Sequence, residues 1–277
     1  MAGQSHPSDP PPSYDQVRHI PPPASAENAN MPSPRRGPPP QQPLDVPALN
    51  ELRGKRVVLA SASPRRKYLL GLLGLTNVEV IPSNFAENLP KTMDPHEYVH
   101  KTASEKAMDV YMREVDNGDL GIVIAADTVI ISRDGQIMEK PRNPQHHLEM
   151  LKRLRDDGSH QVATAVVAMR PLVNPVEPGY RLETRVESTT VKFDSKLTDE
   201  RIAAYVRTRD GNDKAGGYGL QSAGSILIER IEGSHDNVIG LPLRVTLELI
   251  ELCMEPEEDV DDDDDDEDMD NVFSGVL

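Results

Sequence analysis

From about residue 55 to residue 254, apolar and polar positions alternate between two patterns. Val57-Val58-Leu59-Ala60 is a continuous apolar run, as in a strand buried on both faces, and Lys67-Tyr68-Leu69-Leu70-Gly71-Leu72-Leu73 carries leucines at helical spacing. Val78 to Ile81 reads as a short strand. Asp94 to Val115 reads as a long amphipathic helix, with Asp94 as its cap and Pro95 in the first helical position. Gly121-Ile122-Val123-Ile124-Ala125-Ala126 is a second apolar run, predicted to deliver Asp127 and Thr128 at or near its end. Val129 to Ser132 and Gln136 to Glu139 flank Asp134-Gly135, a two-residue hairpin signal. A helix follows over Pro144 to Leu154, then strands over Gln161 to Met169 and Arg181 to Phe193, and a helix from Thr198 to about Val206. A glycine-rich loop over Asp213 to Gly219, a strand over Ser225 to Ile231 and a closing helix over Pro242 to Met254 complete the series. This order predicts an α/β or α+β domain on a substantial mixed sheet.

Composition sets the ends apart. Of 25 prolines, 14 lie in the first 50 residues, so residues 1–53 are expected to form a disordered Pro-rich arm, residues 54–254 the folded domain and residues 255–277 a disordered acidic tail. Glu255 to Asp270 holds 13 acidic and no basic side chains; removing that −13 from the formal −16 leaves −3 for the rest. Near-neutrality of the body argues against a nucleic-acid or anionic-membrane partner, which needs a concentrated basic face. No apolar run approaches the ~20 residues of a membrane span, and the N-terminus lacks the basic-then-apolar pattern of a signal peptide. Cys253 is the only cysteine, which excludes an intrachain disulfide and a cysteine zinc site and fits a cytoplasmic location. Pro11-Pro12-Ser13-Tyr14 matches the pattern that docks in WW-domain grooves.

The candidate chemistry begins at the first strand-to-helix corner, Leu59-Ala60-Ser61-Ala62-Ser63-Pro64-Arg65-Arg66. Ser63 suits the N-cap and Pro64 the first helical position, so free backbone N–H groups there favour an anion. Arg65 and Arg66 oppose the macrodipole in that first turn, at roughly 0.3–1 kcal/mol each, which suggests a negative ligand between them; the arginine fork suits phosphate. Lys140 stands 13 residues beyond Asp127, and the hairpin folds it back towards that carboxylate. A carboxylate and a lysine in one cleft with two arginines suit a polyphosphate and its metal. Read singly, Asp127 with Lys140 is an ordinary salt bridge, and Glu87 and Lys106 are surface residues. Asp213-Lys214-Ala215-Gly216-Gly217-Tyr218-Gly219-Leu220-Gln221 permits close backbone approach to a ligand but matches no Walker A loop or dinucleotide fingerprint. His146 and Glu149, at i, i+3, lack the further ligands a metal pair requires.

Ser61 to Arg66, Ala126-Asp127-Thr128, Glu139-Lys140-Pro141, Asp213 to Gln221 and Gly233 to Pro242 together resemble the Maf family of nucleotide pyrophosphatases, in order and spacing, over about Arg56 to Leu252. The resemblance implies a Maf/ITPase-like mixed sheet with flanking helices and a deep central cleft, often in a homodimer. It further implies hydrolysis of a nucleoside triphosphate to the monophosphate and pyrophosphate with a divalent cation, Mg2+ or Mn2+. In that reading Asp127 is the general base or a metal-bound carboxylate, Glu87 its metal partner, and Arg65, Arg66, Lys106 and Lys140 the phosphate clamp. Ser61, Ser63, Thr128 and Gln221 complete the substrate-binding set. Arg65, Thr128 and Gln221 resemble the members acting on dTTP and UTP, while 7-methyl-GTP, or a non-catalytic nucleotide-sensing scaffold, is the alternative. Ser222 replaces the family's usual glycine, where a side chain is expected to narrow the base pocket.

Overall fold

Two short parallel strands, β1 (Arg56–Leu59) and β2 (Val78–Val80), begin a seven-stranded mixed sheet. They flank α2 (Pro64–Leu72), whose N-cap is Ser63 and whose first residue is Pro64, as their positions predict. The computed structural model describes residues 42–173 and 177–257. The Pro11-Pro12-Ser13-Tyr14 motif, the prolines from 32 to 40 and the acidic run from Glu258 onward lie outside the described residues. A long helix, α3 (Pro95–Glu114), capped by Asp94, leads into β3 (Leu120–Ile131), the central strand. The hairpin strand β4 (Ile137–Met138), α4 (Pro144–Asp157), β5 (Ser159–Pro171), β6 (Tyr180–Phe193), α5 (Asp199–Thr208) and β7 (Ile228–Glu232) follow. The chain closes with α6 (His235–Ile239) and α7 (Leu243–Met254). Strand order is β2-β1-β3-β5-β6-β7, with β4 paired to β3.

Alternation along β3 assigns the layers. Ile122, Ile124 and Ala126 pack on one face with leucines of α2 and α7, while Val123, Ala125 and Val129 pack on the other with Val99, Ala103 and Ala107 of α3. A third apolar cluster joins Ile130 and Val162 to α4, α5 and Tyr218. Among the described residues, no helix is long and apolar enough to cross a membrane.

Five boundaries depart from the sequence reading. The folded body starts before residue 54, because α1 (Pro47–Leu52) buries Leu49 and Leu52, three residues apart on one helical face, in the cluster that holds α7. It also continues past 254: Arg181 donates to the Glu255 carbonyl at 2.9 Å and Arg170 to the Glu257 carboxylate at 3.3 Å. β3 runs on to Ile131, so Asp127 lies inside a strand and not at its end. The hairpin loop has three residues, Arg133 to Gly135, closed by Ser132 N–H on the Gln136 carbonyl at 3.0 Å, with Gly135 at φ 81°. The predicted strand at Ser225 begins at Ile228, preceded by 3-10 turns over Ala223–Leu227, and the short α6 was not foreseen.

Candidate functional site

The cleft originates in how β3 is paired. On one edge β3 pairs with β5 from Val123 to Ile131 without a break. On the other it pairs with β1 only as far as Ile124 and with β4 only from Ile130. Successive side chains of a strand point to opposite faces. Asp127 and Thr128 nevertheless both line one cavity of about 600 Å³, which occupies the interval between β1 and β4. Ser61, Ser63, Arg65, Arg66, Glu87, Lys106, Lys140 and Gln221 line the same cavity, so every site residue singled out in the sequence meets there.

On the α3 side of the sheet the contacts are ionic. Lys106 Nζ donates to Asp127 Oδ1 at 2.8 Å and lies 2.6 Å from Glu87 Oε1, with Lys106 and Asp127 each 9 % exposed. Partial burial pushes the Glu87 carboxyl up, but the Lys106 ammonium, with help from Lys140 and Arg66, holds it below its usual value. The loop bearing Glu87 is tied down at both ends. Ser83 Oγ and Asn84 N–H donate to Asp109 at 2.9 and 2.8 Å, while Lys91 donates to Glu139 at 2.6 Å and to the Tyr98 hydroxyl.

On the opposite side a cation is held by neutral acceptors. Arg66 Nε donates to the Gly240 carbonyl at 2.8 Å, Nη1 to Ser61 Oγ at 3.0 Å and Nη2 to Thr128 Oγ1 at 3.0 Å. Burial lowers its pKa from the arginine norm, and the Asp127 carboxylate opposes that shift. These three bonds leave N–H groups on both terminal nitrogens for a ligand, since a guanidinium carries five. Arg65 instead reaches across the mouth to Asp213 at 3.1 Å, an exposed pair worth ~0–1 kcal/mol.

The glycine-rich segment forms the facing wall. Gly216 and Gly217 sit at φ 69° and 76°, and Gly216 N–H donates to the Glu139 carbonyl at 3.1 Å. The loop rests on a buried imidazole, with His147 Nε2 2.5 Å from the Gly217 carbonyl; a carbonyl only accepts, so Nε2 carries the proton. His160, also buried, pairs with the Tyr218 hydroxyl at 2.7 Å, and burial pulls its pKa down to about 4. Beneath Gln221, Ser222 Oγ donates to Asp210 at 2.6 Å, beside the Tyr205 hydroxyl on the same oxygen at 2.9 Å. Ser222 is not among the residues lining the cleft, so the expected narrowing of the pocket does not occur through its side chain. His146 accepts from the Arg142 N–H and Glu149 from Gln145, and among the described residues no third His, Cys, Asp or Glu joins them in a metal-holding group.

Sequence reasoning passed over His147, His160, Thr164, Asn237 and Gly240. Gly240 lines the cleft and the other four stand behind it, each through a backbone or hydroxyl contact, and such contacts have no sequence spacing to betray them. The Gly233 to Pro242 motif did contain Asn237 and Gly240, without a role for either.

A family model described as Maf-like protein matches residues 56–253. The protein named dTTP/UTP pyrophosphatase from Schizosaccharomyces pombe is 47 % identical over 218 residues, 76 % of this chain and 89 % of that one. Another of that name, from Pyrococcus furiosus, is 38 % identical over 198 residues, 72 % of this chain and 95 % of that one. A solved structure titled "Structure of a HAM1 protein from Coxiella burnetii" covers 73 % of this chain and 100 % of that chain at TM-score 0.36 and 14 % identity, too distant to carry an argument. The matched span runs from the first strand of the sheet to the last turn of the closing helix and takes in all the residues that meet in the cleft: this chain belongs to the Maf family.

Proposed function

We propose that this protein hydrolyses dTTP and UTP to the monophosphate and pyrophosphate, clearing unwanted nucleotides from the pool. The observation that carries the reading is the meeting, in one cleft, of the Asp127–Lys106–Glu87 cluster with Arg65 and Arg66 at the N-terminus of α2. Arg66 and the free N–H groups of that helix grip the polyphosphate. Asp127 takes the proton of the attacking water, and Lys140 and Lys106 offset charge as the α–β phosphoanhydride breaks and pyrophosphate leaves. Asp127 and Glu87 fit a hard divalent cation, Mg2+ or Mn2+: their carboxylates already converge on one positive charge, the Lys106 ammonium. When bound, the cation would supply Lewis-acid neutralisation of the phosphates. With only these two protein carboxylates, a Mg2+-type ion would take its remaining ligands from water and substrate phosphate.

Gln221, on the loop wall, suits the imide edge of uracil or thymine, offering an acceptor to N3–H and a donor to a carbonyl. A pair of this kind is worth roughly 1–3 kcal/mol, so dTTP and UTP should exceed CTP by about 5- to 150-fold in kcat/KM. The test is pyrophosphate release from UTP, dTTP, CTP, GTP and 7-methyl-GTP with Mg2+, Mn2+ or EDTA, on wild type and Gln221→Glu. Equal rates on UTP and CTP, or a 7-methyl-GTP preference in wild type, would overturn the pyrimidine assignment. The reading includes a cytoplasmic location, a homodimer and a WW-domain contact through Pro11, Pro12 and Tyr14. Fractionation, sedimentation and a pull-down with Tyr14→Ala check these in turn.

A further inference from the structure

Thr164 lies on β5 directly opposite Thr128 of β3 and is fully buried. Its Oγ1 is 3.0 Å from Thr128 Oγ1 and 3.2 Å from the Asn237 carbonyl oxygen. A carbonyl can only accept, so the single Thr164 proton goes to Asn237. Thr128 must therefore donate its own proton to Thr164. One Thr128 lone pair receives the Arg66 Nη2 N–H at 3.0 Å. What remains for the cleft, which Thr128 lines, is its second lone pair.

We propose that Thr164 is a positioning residue that fixes Thr128 as a hydrogen-bond acceptor, so that Thr128 meets a proton-bearing group of the nucleotide and not its phosphate. A phosphate oxygen only accepts and gains nothing from that lone pair. Two groups can use it: a hydroxyl of the sugar, or the imide N–H of the base, in which case Thr128 and not Gln221 receives that proton. Asn237 holds the far end of the relay in place: its side-chain amide donates to the Val162 carbonyl at 2.9 Å and to Thr189 Oγ1 at 3.0 Å, fixing α6 against the sheet. This inference rests on the proposed substrate class and adds to it which atom type faces Thr128.

The test uses the full chain as wild type, Thr164→Val and Thr164→Ser, with kcat and KM measured on dTTP, UTP, N3-methyl-UTP and 2′,3′-dideoxy-TTP. Valine keeps the shape and suits a strand but ends the relay, whereas serine preserves it. Thr164→Val should lose about 5- to 30-fold in kcat/KM on dTTP, the span of a lost buried hydrogen bond, with Thr164→Ser within about 3-fold of wild type. Wild type should discriminate at least ~5-fold against one of the two analogues relative to its parent nucleotide. That discrimination should collapse in Thr164→Val, where the Thr128 proton is released to turn into the cleft. Loss confined to N3-methyl-UTP identifies the base as the donor, and loss confined to the dideoxy nucleotide identifies the sugar. Discrimination unchanged between wild type and Thr164→Val, or a serine variant as impaired as valine, overturns the inference alone. A wild type inert towards dTTP and UTP overturns the substrate reading and this inference with it. Thr164→Ala is read in the same way if the valine variant does not fold.

Discussion

On the strand wall of the cleft, Asp127 and Thr128 are placed by the unbroken β3–β5 register from Val123 to Ile131, and their partners reach them as charged or hydroxyl side chains. On the loop wall, Gly216, Gly217 and Gln221 have no ladder beside them; two buried imidazoles, His147 on the Gly217 carbonyl and His160 on Tyr218, hold the loop together with the half-buried Ser222–Asp210 bond. The strand wall therefore tolerates no change in chemistry but is mechanically secure. The loop wall, whose Asp213 and Lys214 pair with each other at 2.8 Å, depends on close fit, and damage behind it should reach substrate binding before turnover.

The largest effect should come from the strand wall. Asp127→Asn keeps the side chain's size and an oxygen to accept from Lys106 but removes the base proposed above, and turnover should fall at least ~10²-fold with the melting curve intact. Near-full activity at saturating metal would remove Asp127 from the chemistry. Acid should separate the two walls next. The unfolded chain protonates His160 near the ordinary 6.5, whereas the folded imidazole stays neutral to about 4. As pH falls from 6.5 the unfolded state binds the proton first. Stability is thus full above pH 6.5 and declines towards pH 4, by up to about 3 kcal/mol. Urea melts at pH 7.5 and 4.5 should show this decline in wild type and its reduction in His160→Gln. Equal slopes in both would contradict it.

Steric damage to the loop wall should be smaller. A methyl on Gly211 would stand 1.8 Å from the Gly217 carbonyl oxygen, so Gly211→Ala must shift backbone, costing about 1–3 kcal/mol and raising KM more than it lowers kcat. Gly54→Ala meets nothing within 4 Å and serves as the neutral control. The smallest effect should be at the mouth. Asp213→Asn releases Arg65 from an exposed pair, and KM for dTTP should change by no more than about 5-fold, consistent with the ~1 kcal/mol ceiling for such pairs. A larger rise would show Asp213 to be part of the binding surface.

The walls differ as much in how readable they were. Asp127 follows six apolar residues and Arg66 follows a capped corner, so burial pattern and helix signals located both. The glycines announced a loop, but not the imidazoles beneath it: His147 is one residue from His146, and only its position on the buried face of α4 separates them. Thr164 sits mid-strand among valines and alanines, where a threonine is unremarkable until its partner across the ladder is known. The start of the fold was misplaced because Pro47 continued the proline pattern of the arm, while the two leucines of α1 are too few to register as a periodic run.

The break in pairing along one edge of β3 gives the protein a window instead of a bowl. Its frame is set on β3 by where pairing with β1 ends, at Ile124, and where pairing with β4 begins, at Ile130, an opening about 20 Å along the strand. That frame opens to both faces of the sheet at once, with the Asp127–Lys106–Glu87 cluster on the α3 side and Arg66 with Thr128 on the other. Lengthening β1 by a pair of residues would narrow the opening and carry the Ser61–Arg66 corner along with it, and shortening it would widen the opening and draw that corner back. Strand length and the position of Arg65 and Arg66 are thus a single variable in this architecture, since only Ala60 separates β1 from Ser61.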